Sequence, residues 1–97
     1  MAKEIIWSPK AAEGLVEICD YIAKDSHHYA EIFAKKIFTI IDSAAHFPMS
    51  GRIVPEYDNE NIREKFYQNY RIVFRIKGNA IEIVAIVHGA RILKDLF

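Results

Sequence analysis

The sequence predicts an α+β fold: an N-terminal strand, then a two-helix antiparallel hairpin packed on a twisted antiparallel sheet, in the order βααβββ. Three observations predict it. Apolar residues recur at helical spacing between residues 9 and 47, and they alternate with a period of two from residue 61 onward. Between the two regimes lies an irregular stretch, 48–60, that holds Pro48, Gly51, Pro55, Asp58 and Asn59.

Each element has a local reason. Residues 4–7, Glu-Ile-Ile-Trp, are β-branched and aromatic and read as a strand. Ser8 suits a helix N-cap because its hydroxyl takes an orphan amide proton. Pro9 suits the first helical position because it has no such proton to leave unpaired. Ala11, Leu15, Ile18 and Ile22 then form one stripe, so the first helix is expected over about 9–24. Asp25-Ser26 breaks the pattern and caps a second helix, whose stripe is Phe33, Ile37, Ile40 and Ala44, ending near Phe47 before Pro48. Helices joined by so few residues fold back on each other.

The strands follow from alternation. Tyr70, Ile72, Phe74 and Ile76 alternate with Arg71, Val73, Arg75 and Lys77, and Gly78-Asn79 is a two-residue turn signal. That turn sets Ile76 opposite Ile81, Phe74 opposite Ile83, Ile72 opposite Ala85 and Tyr70 opposite Val87. The other face then gathers Arg71, Arg75, Lys77, Glu82 and His88, with Arg75 opposite Glu82 as a cross-strand ion pair. For residues 61–67 a two-residue turn at Gln68-Asn69 would put Arg63 and Lys65 on the apolar face, which is costly. A register shifted by one is therefore expected, with Ile62, Glu64 and Phe66 toward the core and Arg63 and Lys65 on an open basic face. Glu64 is awkward in that register and belongs near an edge.

Composition narrows the function classes. With 97 residues, 52% hydrophobic and 27% charged, the chain is expected to be a single domain, 1–97, with one modest core. It is too short for a kinase or a (β/α)₈ barrel. Net charge is zero, yet residues 1–50 carry 5 basic and 7 acidic groups while 61–97 carry 7 basic and 3 acidic. The C-terminal third is thus a candidate anion-binding surface. Cys19 is the one cysteine, which excludes an internal disulfide and a Cys-rich zinc site. His27-His28 point about 100° apart on a helix, poor geometry for one metal, so no metal or cofactor is expected. No segment reads as a signal peptide or a membrane span, so a soluble, cytoplasmic protein is expected.

These elements carry a family likeness. Trp7-Ser8-Pro9, Phe47-Pro48, Gly51-Arg52, Pro55-Glu56, Ile62-Arg63-Glu64, Tyr70-Arg71-Ile72-Val73-Phe74-Arg75-Ile76 and Val87-His88-Gly89-Ala90-Arg91 stand in this order over nearly the whole chain. In that order and spacing the chain resembles the RelE/ParE superfamily of type II toxin–antitoxin toxins, most closely the ParE, or plasmid stabilisation, branch. The resemblance implies a toxin neutralised by a cognate antitoxin that is small, partly disordered and DNA-binding. For the ParE branch it implies DNA gyrase as target and a block of replication. For the RelE branch it implies an enzyme, a ribosome-dependent mRNA endonuclease. An inactive relative that only binds its antitoxin is the third reading, and no membrane partner is implied.

RNA cleavage by 2′-hydroxyl attack needs a base, cations for the phosphate and an acid for the leaving oxygen. Glu56 offers a base, Arg63 and Arg71 hold a phosphate, and His88 serves as acid or base. Nuclease members of the superfamily often carry a tyrosine near the C-terminus. Here His88 is followed by Gly89 and the terminal aromatic is Phe97, which weighs toward gyrase. Candidate target- or anion-binding residues are Arg52, Arg63, Tyr70, Arg71, Arg75, His88, Arg91 and Lys94. The alternatives are structural: Glu56 pairs with an arginine, Tyr70 is a core or rim aromatic, and Arg52 is solvated. Ile92, Leu93, Leu96 and Phe97 suggest a tail that docks on the body. A basic, mobile tail could instead reach the target, and deletion of 90–97 would then abolish toxicity while leaving the fold intact.

Overall fold

A computed structural model describes residues 2–97. The elements are β1 (Glu4–Trp7), α1 (Pro9–Ala23), α2 (His27–His46), a 3₁₀ turn (Pro48–Ser50), β2 (Arg52–Ile53), β3 (Ile62–Tyr67), β4 (Tyr70–Lys77) and β5 (Ala80–His88). Both helices begin as their sequence dictates. The Ser8 hydroxyl accepts from the Ala11 amide at 3.0 Å, and the Ser26 hydroxyl accepts from the Tyr29 amide at 3.1 Å.

The sheet is mixed, ordered β1-β5-β4-β3-β2, with β1 parallel to β5. The expected all-antiparallel sheet fails at that edge. α1 does not turn back after β1: Ser8 meets Val84 and Gly14 lies on Ile86, so the helix runs on in the direction of β5. α2 then returns from Tyr67 and Tyr70 to Lys3, and the two-residue β2, too short to leave a periodic signal, continues its direction before β3 turns back. β1 and β5 therefore run the same way.

Two registers differ from expectation. At Gln68-Asn69 the simple two-residue turn forms, with Tyr67 opposite Tyr70, Lys65 opposite Ile72 and Arg63 opposite Phe74. Gln68 takes a φ of +52° to make it. Arg63 and Lys65 therefore lie on the helix side, while Ile62, Glu64 and Phe66 lie on the opposite face. The anticipated cost is avoided because the Arg63 guanidinium donates to the carbonyls of Glu60 at 2.8 Å and Gly51 at 2.9 Å. In the β4–β5 hairpin Ile76–Ile81, Arg75–Glu82 and Phe74–Ile83 pair as predicted. Val73 then pairs with Ala85, so β5 carries one extra residue, a bulge. The bulge moves Ile72 from Ala85 to Ile86 and Tyr70 from Val87 to His88.

Two apolar clusters result. Under the helices, Ala11, Phe33, Ile37, Ile41, Ile72, Phe74, Ile81 and Ile83 are all nearly inaccessible. Gly14 lets α1 lie close on β5, since a Cβ there would sit 2.8 Å from the Ile86 carbonyl oxygen. On the other face, Val54, Ile62, Val73, Val84 and Ala85 join Leu93 of the C-terminal segment. That face is not the open basic surface expected from alternation, because the 54–57 loop and the tail cover it.

Candidate functional site

Beneath the tail, strand pleating converges Glu64 of β3 and Arg71 of β4 on one face, and loop residue Glu56 meets them from above. The Glu64 side chain is fully inaccessible. It accepts from Arg71 Nε at 2.6 Å and from Arg52 Nε at 2.9 Å. Arg71 turns its other two nitrogens to Glu56 in a bidentate fork, at 2.8 and 2.9 Å. The same carboxylate accepts the Leu93 amide at 3.2 Å, and the Arg91 carbonyl accepts from Arg71 at 3.3 Å. Arg71 thus ties two strands, the loop and the tail together.

The hydrogen bonds from Arg71 hold the Glu56 carboxyl down at about 2, helped by the Leu93 amide and opposed by partial burial. The same pairing holds the Arg71 guanidinium protonated beyond its ordinary range. A carboxylate so depressed is a poor base at neutral pH. A guanidinium saturated by two carboxylates is a poor phosphate clamp.

The other sequence candidates are dispersed. Arg63 is bound to loop carbonyls on the helix side. His88, expected on the basic face, is carried by the bulge to the helix side, where its ring meets Tyr70 at 5.8 Å. Its Nδ1 accepts the Ala90 amide at 3.2 Å. Tyr70 also packs edge-on against Phe33, which makes it a rim aromatic. Arg75 pairs with Glu82 at 2.6 Å, as predicted, and lies over the Phe97 ring. Arg52 is half-exposed and stacks on Phe66 while holding Glu64. The side chains of Arg91 and Lys94 are exposed. The set Glu56, Arg63, Arg71 and His88 is therefore not assembled into one centre, and Arg71 and Glu56 alone meet.

The tail is docked rather than free. Leu93 is buried, the Leu96 amide donates to the Tyr57 hydroxyl at 3.0 Å, and Phe97 meets Tyr57 edge-on. Truncation at residue 90 would remove a core residue, so the expectation of an intact fold is revised. Glu64 and Tyr57 were not singled out as site residues by their sequence context. The one signal was the awkward inward carboxylate at position 64, which called for a cationic partner. Among the described residues no group of three or more His, Cys, Asp or Glu is placed to hold a metal ion. No helix there is long and apolar enough to cross a membrane.

The helical hairpin on a five-stranded mixed sheet is a fold shared with solved toxin–antitoxin structures. It matches the chromosomal ParDE toxin–antitoxin system of P. aeruginosa with a TM-score of 0.72 at 22% identity, over 90% of this chain and 96% of that one. It matches the RelBE2 toxin–antitoxin complex of Mycobacterium tuberculosis with a TM-score of 0.65 at 13% identity, over 91% and 99%. In sequence the chain is 29% identical over 89 residues to Toxin RelE2 of Caulobacter vibrioides, covering 92% of this chain and 98% of that protein. The family described as ParE toxin of type II toxin-antitoxin system, parDE, matches residues 5–93, and the chain belongs to it.

Proposed function

We propose that this chain is a single-domain cytoplasmic toxin that binds DNA gyrase and so blocks replication, and that it does not cleave RNA itself. A small antitoxin, folding in part on contact, neutralises it. The observation that carries this reading is the closed Glu56–Arg71–Glu64–Arg52 network: the best nuclease candidates are consumed by one another. Membership of the ParE family supports the same target. Gyrase inhibition asks for a binding surface rather than a proton-transfer set, and the exposed side chains of Arg91 and Lys94 supply cations to such a surface.

The second reading, an mRNA endonuclease, draws on the likeness to a protein called Toxin RelE2. It requires Glu56, Arg63, Arg71 and His88 to be brought together by movement. The test is induced expression in a bacterial host, with DNA replication and mRNA integrity followed in one culture. Filamentation, a DNA-damage response and intact mRNA are expected. Rapid mRNA loss at translated codons overturns the gyrase reading. No growth effect from a folded protein points to an inactive relative.

A further inference from the structure

The β1 edge of the sheet is bare. β1 lies outermost, and no described strand lies beyond it. The Glu4 amide donates to the Asn79 carbonyl at 2.8 Å and the Ser8 amide to the Ile83 carbonyl at 3.0 Å. Residues 4, 6 and 8 thus turn their backbone toward β5, and the amides and carbonyls of Ile5 and Trp7 point away from the sheet. Lys3 also points outward, but its amide is taken by the Ala45 carbonyl at the end of α2, at 2.9 Å. Ile5 and Trp7 remain as a template for a further strand.

Ile5 and Trp7 turn their side chains under the helices, and Glu4, Ile6 and Ser8 turn theirs to the opposite face. Ile6 is 45% exposed. Its neighbour on β5, Glu82, is already paired with Arg75, so Ile6 faces no free charge from that strand. On the helix side Phe38 is 52% exposed and meets Trp7 edge-on at 5.7 Å. Sheet edges are commonly blunted by a central lysine or proline, and Glu4–Trp7 contains neither.

We infer that this edge is a contact between two copies of the chain, which pair β1 with β1 antiparallel about a two-fold axis at Ile6. The register follows from the backbone. An axis at Ile6 sets Ile5 against Trp7 of the second copy, so every free amide and carbonyl on both edges finds a partner. An axis at Glu4 or Ile5 sets one of them against Lys3, whose amide is occupied. An axis at Trp7 sets Ile5 against Pro9, which has no amide and has already entered α1. About the Ile6 axis the two Ile6 side chains meet as a non-hydrogen-bonded pair, the closer kind. On the same face Glu4 lies opposite Ser8 of the second copy, with Lys10 next to it, a pairing of opposite charges. α1 leaves the edge at Pro9 and passes over Ile86 of β5, which makes room for the end of the second α2. An unrelated extended peptide would pair through the same backbone. A second copy supplies in addition the apolar residue for Ile6 and the cation for Glu4. The contact uses neither the tail nor the Glu56–Arg71 network.

The test is sedimentation equilibrium of the full chain over about a hundredfold range of concentration, with amide hydrogen exchange read at both ends of the range. A monomer–dimer equilibrium is expected, with exchange at the Ile5 and Trp7 amides slower in the dimer. Ile6→Lys sets like charges on the axis and should raise the dimer Kd by about tenfold or more, while Ile6→Val should stay close to the parent. With Cys19→Ala throughout, Ile6→Cys should cross-link to its own copy on air oxidation. Ile5→Cys, which this register places diagonal to its own copy, should not. The cross-link tests the axis even if Ile6→Lys fails to fold. A monomer at every concentration, an Ile6→Lys dimer as tight as the parent's, cross-linking through Ile5→Cys in place of Ile6→Cys, or dimer protection elsewhere than β1 would each overturn the inference.

Discussion

Arg71→Met, the loss of a buried charge, should be strongly destabilising. Arg71 donates four hydrogen bonds, to Glu64, twice to Glu56 and to the Arg91 carbonyl. Methionine fills much of the volume but leaves the Glu64 carboxylate, fully inaccessible, with Arg52 as its sole cation. Breaking a buried ion pair from one side costs about 3–5 kcal/mol, because the orphaned charge stays buried. In a chain of this size that lowers Tm on the order of 15–25 °C. The assay is urea unfolding followed by Trp7 fluorescence and far-UV circular dichroism, read as a shift in midpoint at constant slope. Adding Glu64→Leu to Arg71→Met should recover at least half of the loss, since Arg52 is half-exposed and returns to water. Arg71→Lys, which can serve one carboxylate but not fork to a second, should fall between the parent and Arg71→Met. A loss under about 1 kcal/mol in Arg71→Met, or no recovery in the double variant, would refute the view that this network carries the back of the sheet.

Two further outcomes follow from the same network. The Glu56 carboxyl is held at about 2 in the folded chain against 4.5 for a free glutamate, so its contribution is present above the unfolded value and is lost as pH falls toward 2. Stability against urea should decline between about pH 5 and 2, and Glu56→Gln should flatten that decline; an unchanged profile in the variant would argue against it. Truncation after Gly89 removes buried Leu93 together with the partners of Glu56 and Tyr57, and should lower Tm by on the order of 10 °C or more. Thermal melts of the purified protein check this, and a melt equal to the parent would restore the idea of a free tail.

The local chemistry of the chain was legible residue by residue. Ser8-Pro9 and Ser26 start their helices, the apolar stripes choose the buried faces, and Gly78-Asn79 turns the last hairpin, because each depends only on neighbours a few positions away. The order of elements and the motif spacing sufficed for the family. What only the tertiary structure decided concerns partners far apart in sequence. An unbroken alternation in β5 does not reveal a bulge, yet that one extra residue carries His88 to the helix side and away from Arg71. The two-residue β2 was too short to register, and the parallel pairing of β1 with β5 followed from α1 running on along β5 instead of turning back after β1. Arg63 looked too costly on the helix side until the carbonyls of the 3₁₀ turn were brought to it. The open basic face disappeared because the 54–57 loop and the tail fold over it. Glu56 and Leu93 lie 15 and 22 residues from Arg71, and burial of charge was settled by which of them folding delivered to the guanidinium.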